Sequence, residues 1–518
     1  MVRRIALVLG LAVVVGGCGD AARRPHVRTA TSVNLPQLTG RPPAPLPLRS
    51  GVGHRPNIVF VLTDDLSTDL LRFMPHVRAL ERRGTTFTKY IVSDSLCCPS
   101  RASIFTGELP HDTHVFTNTK PDGGNYAFLH NGDEHRTFAD ALFHRGYRTA
   151  LFGKYLNGYA ANRGGIPLGW TDWSGTANGY HGFRYTLDED GTPTFFGSQP
   201  QDYLTDVLGA QASQFIGTEQ YDLTPTITAP HRPFFLEAAT FAPHLPAIPA
   251  PRDAGRLPNV RAPRGPAFGL ENRHAPPWLR QHAPLTAHQT QYIDAAYGRR
   301  ARSVLAVDRM VGQLEAQLRA SGDLQSTYFV FSSDNGFHMG QHRLLPGKKT
   351  AFDTDVRVPL IIAGPGVPAG ARVSALTQNT DLAPTFEQLA GVPVPPTVDG
   401  RSLVPLLRGH RPRHWRAAAL IEHKRTPFSF GDPDYQPFKA GNPPTYDALR
   451  LPGATYVQSV DGRREYYDDR RDPAQLDNRY ATLTLARRRY LAALADRLKR
   501  CHGTAECANG RSGAHGSV

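Results

Sequence analysis

The chain has 518 residues, of which 40% are hydrophobic and 20% charged, with a formal net charge of +14 and a pI of about 9.7. That length and balance suit one large folded domain with a smaller companion, and they exclude a disordered or fibrous chain. The charge attracts anionic partners, but Lys and Arg are scattered rather than gathered in one run, which argues against nucleic-acid binding.

At the N-terminus, Arg3 and Arg4 precede a short apolar run, Ile5 to Val15, too short to span a bilayer as a helix. The run ends Val15-Gly16-Gly17-Cys18, which resembles a bacterial lipoprotein cleavage box. The expectation is a lipoprotein signal peptide over 1–17 and an acyl anchor on Cys18. The chain would then be exported to a bacterial cell surface, and either held on the membrane or secreted. An ordinary secretory signal with an incidental Cys is the alternative. Residues 18–55 are rich in Pro, Arg, Gly and Thr without apolar periodicity, and read as a flexible tether.

A main domain is expected over 56–394. Asn57 to Leu62 is a continuous apolar run, the pattern of a strand buried on both faces, and it ends Thr63-Asp64-Asp65. Residues 97–107 read Cys-Cys-Pro-Ser-Arg-Ala-Ser-Ile-Phe-Thr-Gly. A Cys pair packs as small hydrophobes or serves redox or metal chemistry. The other cysteines, at 18, 501 and 507, leave no nearby partner for a Cys-based metal site. Further strands are expected at Tyr147 to Phe152, Phe234 to Ala239, Tyr328 to Ser332 and Leu360 to Ala363. Val304, Val307, Val311, Leu314 and Leu318 recur at helical spacing, and Asp381 to Ala390 is a second helix candidate. Alternating strands and helices indicate an α/β fold, a large central sheet flanked by helices.

From about 395 the pattern changes. Tyr456 to Val460, Asp461-Gly462 and Arg464 to Tyr467 form a hairpin signal, and a helix follows over about 481–499. The expectation is a smaller C-terminal subdomain over 395–500, of antiparallel sheet plus helix, then a tail over 501–518. Cys501 and Cys507 are close enough in sequence for a small-loop disulfide outside the cytoplasm.

The chemistry-bearing residues cluster at strand ends, where ligands bind open α/β sheets. Asp64-Asp65 follow one strand and Asp334-Asn335 another; four oxygen-bearing side chains suit Ca²⁺ or Mg²⁺ and poorly suit a soft metal. A single Asp in such a place is equally a helix N-cap. Arg101, Lys154 and Lys348 are candidate anion-binding cations, although lone lysines are usually solvated. His244, between Pro243 and Pro246, is a candidate proton donor. His338 and His342 follow Asp334-Asn335 and read equally as pocket lining or surface loop.

Residues 97–107 fit C-x-P-S-R-x-x-x-x-T-G. On this motif the chain resembles the type I sulfatases of the alkaline-phosphatase superfamily. The resemblance extends from about Pro56 to Asn478. It takes in Asp64-Asp65, Gly153-Lys154, Pro243-His244, Asp334-Asn335-Gly336, Arg357-Val358-Pro359-Leu360, Thr380 to Thr385, Asp399 to Leu403 and Tyr467-Asp468. Within that family the chain is most similar to the N-acetylglucosamine-6-sulfatases, through Cys97 to Ile104, Pro110-His111, His114-Val115, Gly153 to Asn157 and Ser333 to His338.

The resemblance implies an alkaline-phosphatase-like fold and hydrolysis of sulfate monoesters, on sulfated amino sugars or aryl sulfates. It implies that a maturation enzyme oxidises Cys97 to formylglycine. Asp64, Asp65, Cys97, Asp334 and Asn335 would ligate Ca²⁺, Mg²⁺ being the less favoured ion. Arg101 would support the formylglycine hydrate; Lys154, Lys348 and His244 would hold sulfate, with His244 or Lys348 protonating the leaving oxygen. His111, His114 and His338 are candidate substrate-binding residues. Two departures stand out. Leu156 occupies a position where many sulfatases carry His, which His111 or His114 would have to replace, and Phe352-Asp353 stands where Tyr-Glu is usual. The competing readings are a phosphomonoester or phosphonate hydrolase on the same fold, and a non-catalytic surface protein binding sulfated polysaccharide.

Overall fold

The computed structural model describes residues 55–507 apart from 162–164, 219–231, 411, 413–414, 426–431 and 436–437. The expected signal segment, Cys18, the tether up to residue 54 and the last part of the tail, 508–518, lie outside the described residues. Among the described residues no helix is long and apolar enough to cross a membrane.

The strands in chain order begin β1 (Asn57–Thr63), β2 (Thr85–Phe87), β3 (Tyr90–Ile91), β4 (Arg148–Lys154), β5 (Asp172–Thr176), β6 (Tyr185–Glu189) and β7 (Thr192–Phe196). They continue β8 (Phe234–Ala239), β9 (Thr327–Ser333), β10 (Leu360–Ala363), β11 (Ala371–Val373) and β12 (Thr377–Gln378). The last four are β13 (Ala419–His423), β14 (Tyr446–Leu451), β15 (Ala454–Ser459) and β16 (Arg464–Tyr467). A ten-stranded sheet runs β11-β2-β10-β9-β1-β8-β4-β5-β6-β7. Its centre, from β9 through β1, β8 and β4 to β5, is parallel, and antiparallel pairings enter through β10 on one side and β6 and β7 on the other. The strands β1, β8 and β9 at the centre are buried along their whole length because helices cover both faces, and apolar side chains fill most of their positions.

The helix stripe read at 304–318 belongs to a longer helix, Ala287–Ala320, which starts on a reciprocal capping box between Thr286 and Gln289. Its first half lacks a clean apolar stripe because it buries Arg300, which is fully enclosed. The helix Cys97–Thr106 is buried at every position, and Gly107 closes it in the left-handed region at φ 75°. A Cβ at Gly107 would stand 2.8 Å from Val398, so close packing also favours glycine there.

The C-terminal sheet β13-β14-β15-β16 is antiparallel throughout and packs against the helix Leu485–Leu498. Residues 501–507, expected as the start of a tail, instead form the short helix Gly503–Cys507 against this unit, with a Cys501–Cys507 disulfide. The expected boundary near 394 is not a break in packing. Leu382 and Phe386 share one core cluster with Ala419, Ile421, Tyr446, Ala448 and Val457.

Candidate active site

The parallel register Thr63↔Ser333 places the ends of β1 and β9 side by side, so Asp64-Asp65 and Asp334-Asn335 emerge together. Asp65 adopts φ 64°, an uncommon conformation for a residue with a side chain and one often found at functional sites. Its backbone N–H donates to Asp334 Oδ1 at 3.2 Å, and Asn335 Nδ2 donates to Asp65 Oδ1 at 2.6 Å. Asp65 Oδ2 and Asn335 Oδ1 are buried with no hydrogen-bond partner among the described residues.

Cys97 begins its helix beside this group. Its thiol lies 3.2 Å from Asp64 Oδ1 and accepts from Lys348 Nζ at 2.8 Å. Arg101, one turn further on, is fully buried; Nε donates to Asp334 Oδ2 at 2.8 Å and Nη1 to the Lys154 carbonyl at 2.8 Å. Lys154 closes β4 and donates to Asp64 Oδ2 at 2.6 Å, while Lys348 donates to Asp65 Oδ1 at 2.7 Å. His244 Nε2 stands 3.6 Å from Asp65 Oδ2, and its Nδ1 donates to the Leu245 carbonyl at 2.5 Å.

The electrostatics follow from burial and crowding. Burial and the nearby carboxylates of Asp434 and Asp64 push the Cys97 thiol well above its ordinary range, against the pull of Lys154 and Lys348, so the group is not set up as a thiolate. Burial alone would lower both lysines, but Asp64 beside Lys154, and Asp434 and Asp65 beside Lys348, hold both well above the usual lysine range. Burial likewise disfavours charged His244, and Asp65, Asp64 and Asp434 overcome it to raise its pKa. The cluster is therefore a buried patch of fixed cations around Cys97.

The donor set fits a hard divalent ion. Ligand atoms of Asp64, Asp65, Cys97 and His244 lie within 4.8 Å of one another, and the orphaned oxygens of Asp65 and Asn335 supply further acceptors. Asp334 is committed through Oδ2 to Arg101 and through Oδ1 to two backbone N–H groups.

Three expected residues are not brought to this cluster. His111 uses both ring nitrogens elsewhere, on Glu422 at 2.8 Å and the Cys501 carbonyl at 2.9 Å. His338 is bonded to Asp355 and to the Ala440 carbonyl, and so braces the chain just before Lys348 instead of facing Cys97. His114 is exposed at the end of the helix Pro110–Thr113. His342 is also turned away, bonded to Asn272 and stacked on Phe352, and burial drops its pKa to about 3. Leu156 is core, and Asp353 pairs with Arg450 and Arg357.

Three other residues join the cluster. Arg300 donates to the Asp65 carbonyl at 2.6 Å and to the Pro243 carbonyl at 3.2 Å, tying two site loops together. Asp434 accepts from His244 Nε2 at 2.8 Å and from Lys348 at 2.7 Å, and Asn118 donates to Asp434 at 2.6 Å. Arg300 sat unremarked on a helix. The Asp432-Pro433-Asp434 pattern is the one available signal for Asp434, within a stretch that reads only as loop.

The sulfatase family model matches residues 56–392, and a model described as N-sulphoglucosamine sulphohydrolase, C-terminal, matches 340–502. The chain belongs to the sulfatase family. It is a sulfuric ester hydrolase with an alkaline-phosphatase-like fold. Human N-acetylglucosamine-6-sulfatase is 36% identical over 393 residues, covering 73% of this sulfatase and 69% of the human protein. An arylsulfatase from Chlamydomonas reinhardtii is 27% identical over 506 residues, 88% of this chain and 76% of the algal one. Among solved structures, a protein described in complex with its substrate D-glucosamine-2-N,6-O-disulfate superposes with a TM-score of 0.70 at 24% identity, over 86% of this chain and 97% of that one. A phosphonate monoester hydrolase from Silicibacter pomeroyi reaches 0.62 at 23% identity, over 87% of this chain and 96% of its own. These two likenesses establish the fold.

Proposed function

We propose that this sulfatase removes sulfate monoesters from sulfated amino sugars of the N-acetylglucosamine-6-sulfate type, using formylglycine made from Cys97 and a bound Ca²⁺. The observation that carries the reading is the convergence of Lys154, Lys348 and His244 on Cys97 and Asp64-Asp65, all of them buried. Formylglycine, once formed, would supply a hydrated aldehyde as the nucleophile toward sulfur. Ca²⁺, held by Asp64, Asp65, Asp334, Asn335 and position 97, would offset charge on the sulfate oxygens.

The chain's own side chains do the rest. Lys154 and Lys348 present fixed ammonium groups, preorganised by Asp64 and Asp65, to the charge that builds on the transferring group. His244 keeps Nδ1–H on the Leu245 carbonyl, so Nε2 is the ring atom that delivers a proton to the leaving oxygen. Arg101 fixes the nucleophile helix to Asp334 and to the end of β4. The amino-sugar assignment rests on the 36% identical relatives. Export and an acyl anchor on Cys18 complete the proposal, and would place the enzyme at a cell surface with access to polymeric sulfated carbohydrate. A formylglycine-generating maturation enzyme is its required partner.

The test is mass spectrometry of the tryptic peptide Tyr90–Arg101 from native-host protein, with assays of sulfate, phosphate and phosphonate esters. Formylglycine at position 97, sulfate release from a 6-sulfated glucosamine, and loss of turnover on chelation with recovery in Ca²⁺ are expected. Cys97→Ala should abolish turnover. An unmodified thiol without turnover would sink the reading, and a preference for phosphonate esters would transfer it to the other hydrolase class.

A further inference from the structure

Every side chain that would handle sulfate is enclosed. Cys97, Lys154 and Lys348 have no exposed surface, and His244 is 4% exposed. A sulfate ester must nevertheless reach position 97, so something has to give way. The group in the way is an anion of the chain itself. The turn Asp432–Tyr435, closed by the Tyr435 N–H on the Asp432 carbonyl at 3.0 Å, exposes Pro433 and Tyr435 and buries Asp432 and Asp434. It is a surface element with two carboxylates directed inward.

Asp434 Oδ1 accepts from Lys348 Nζ at 2.7 Å and His244 Nε2 at 2.8 Å. Oδ2 accepts from Asn118 Nδ2 at 2.6 Å and lies 3.3 Å from Cys97 Sγ. Asp432 Oδ1 steadies the turn, accepting from the Asp434 N–H at 3.0 Å and from Asn118 at 3.2 Å. An ammonium has three protons, and those of Lys348 go to Asp65, Cys97 and Asp434. The other N–H of His244 is held by Leu245, so the one that faces the cluster is spent on Asp434. A sulfate group beside position 97 needs these same donors. Two anions cannot share them at contact distance in a buried site, because their repulsion is poorly screened there.

We propose that Asp434 is an internal anion that occupies the sulfate position and closes the site, so that substrate enters by displacing the turn Asp432–Tyr435. This rests on the reading above that Lys348 and His244 bind sulfate. Removing the carboxylate raises the fraction of molecules ready to bind, and apparent affinity rises in proportion to that fraction.

The full chain and its Asp434→Ala and Asp434→Asn variants would be titrated with inorganic sulfate by calorimetry, then assayed on an aryl sulfate. The sulfate Kd should fall by about tenfold or more in Asp434→Ala and by less in Asp434→Asn, with KM falling in the same order. Asp432→Asn, which loosens the turn without touching Lys348 or His244, should shift both in the same direction. Unchanged or weaker sulfate binding in Asp434→Ala overturns the proposal. A lower kcat with an unchanged sulfate Kd also overturns it and makes Asp434 a positioning partner of His244. Because sulfate binding is read without turnover, the order of affinities stands or falls even if no variant hydrolyses a sulfate ester, which is how failure of the functional reading would show itself.

Discussion

Arg101 enters a fully buried position as a cation, and its charge reaches the carboxyl of Glu237 on β8, also fully buried. Arg101 Nη2 and both Glu237 oxygens have no hydrogen-bond partner among the described residues. Burial pushes Glu237 up to about 8, and Arg101 pulls it back only in part. The folded state therefore holds this proton more tightly than the unfolded chain. Stability from this group is full below its ordinary value of 4.5 and is lost as pH rises from there to about 8. Glu237→Gln has the shape of the neutral acid and escapes that loss. Thermal melts followed by circular dichroism should show the variant matching wild type near pH 4.5 and melting a few degrees higher at pH 8. A variant that melts lower throughout would mean that Glu237 is charged and paired with Arg101.

At the scale of an element, β4 shows how a strand aims a functional group. The sequence reading ends this strand at Phe152. The strand continues to Lys154, with Gly153 at φ 115° opposite Ala239 of β8. A Cβ on Gly153 would sit 1.9 Å from the Ala239 carbonyl oxygen and 2.8 Å from Leu208. Only glycine lets the two backbones approach and Lys154 leave the strand toward Asp64. Gly153→Ala combines a strained φ with a backbone collision. It should lower unfolding stability by about 2–3 kcal/mol or more in urea titrations, and in any folded fraction it should cut kcat by displacing Lys154.

Across the whole molecule, the two sheets do not behave as separable units. Arg416 makes a two-pronged buried pair with Asp381, at 2.8 Å and 2.5 Å, linking the chain before β13 to the start of the helix Leu382–Ala390. One core cluster runs through both sides of the junction. A chain ending at residue 394 would leave Asp381 buried without its cation and uncover apolar surface from Leu382 and Phe386. Such a truncated chain should be insoluble, and its soluble yield beside that of the full chain is the check. A soluble, cooperatively melting 56–394 fragment would contradict the shared core.

What the sequence settles by itself is local or carried by short motifs. Largely apolar runs announce β1, β8, β9 and β10, because a strand buried on both faces has few polar positions to blur the pattern. The Cys97–Gly107 motif, together with the strand-end Asp64-Asp65 and Asp334-Asn335 pairs, is enough to identify the family. The short strands β5, β6 and β7 are not legible in the sequence, since each has only five residues and mixes polar with apolar side chains. The tertiary structure alone decides which distant groups meet. It turns His111 and His338 toward Glu422 and Asp355, and brings Asp434 to within 3.3 Å of Cys97 across 337 positions of chain. An aspartate in a loop carries no periodicity and no signature of its own. Its role exists only once packing has placed it among Lys348, His244 and Asn118, where burial works against its charge and the two cations hold its carboxyl well below the usual carboxylate range.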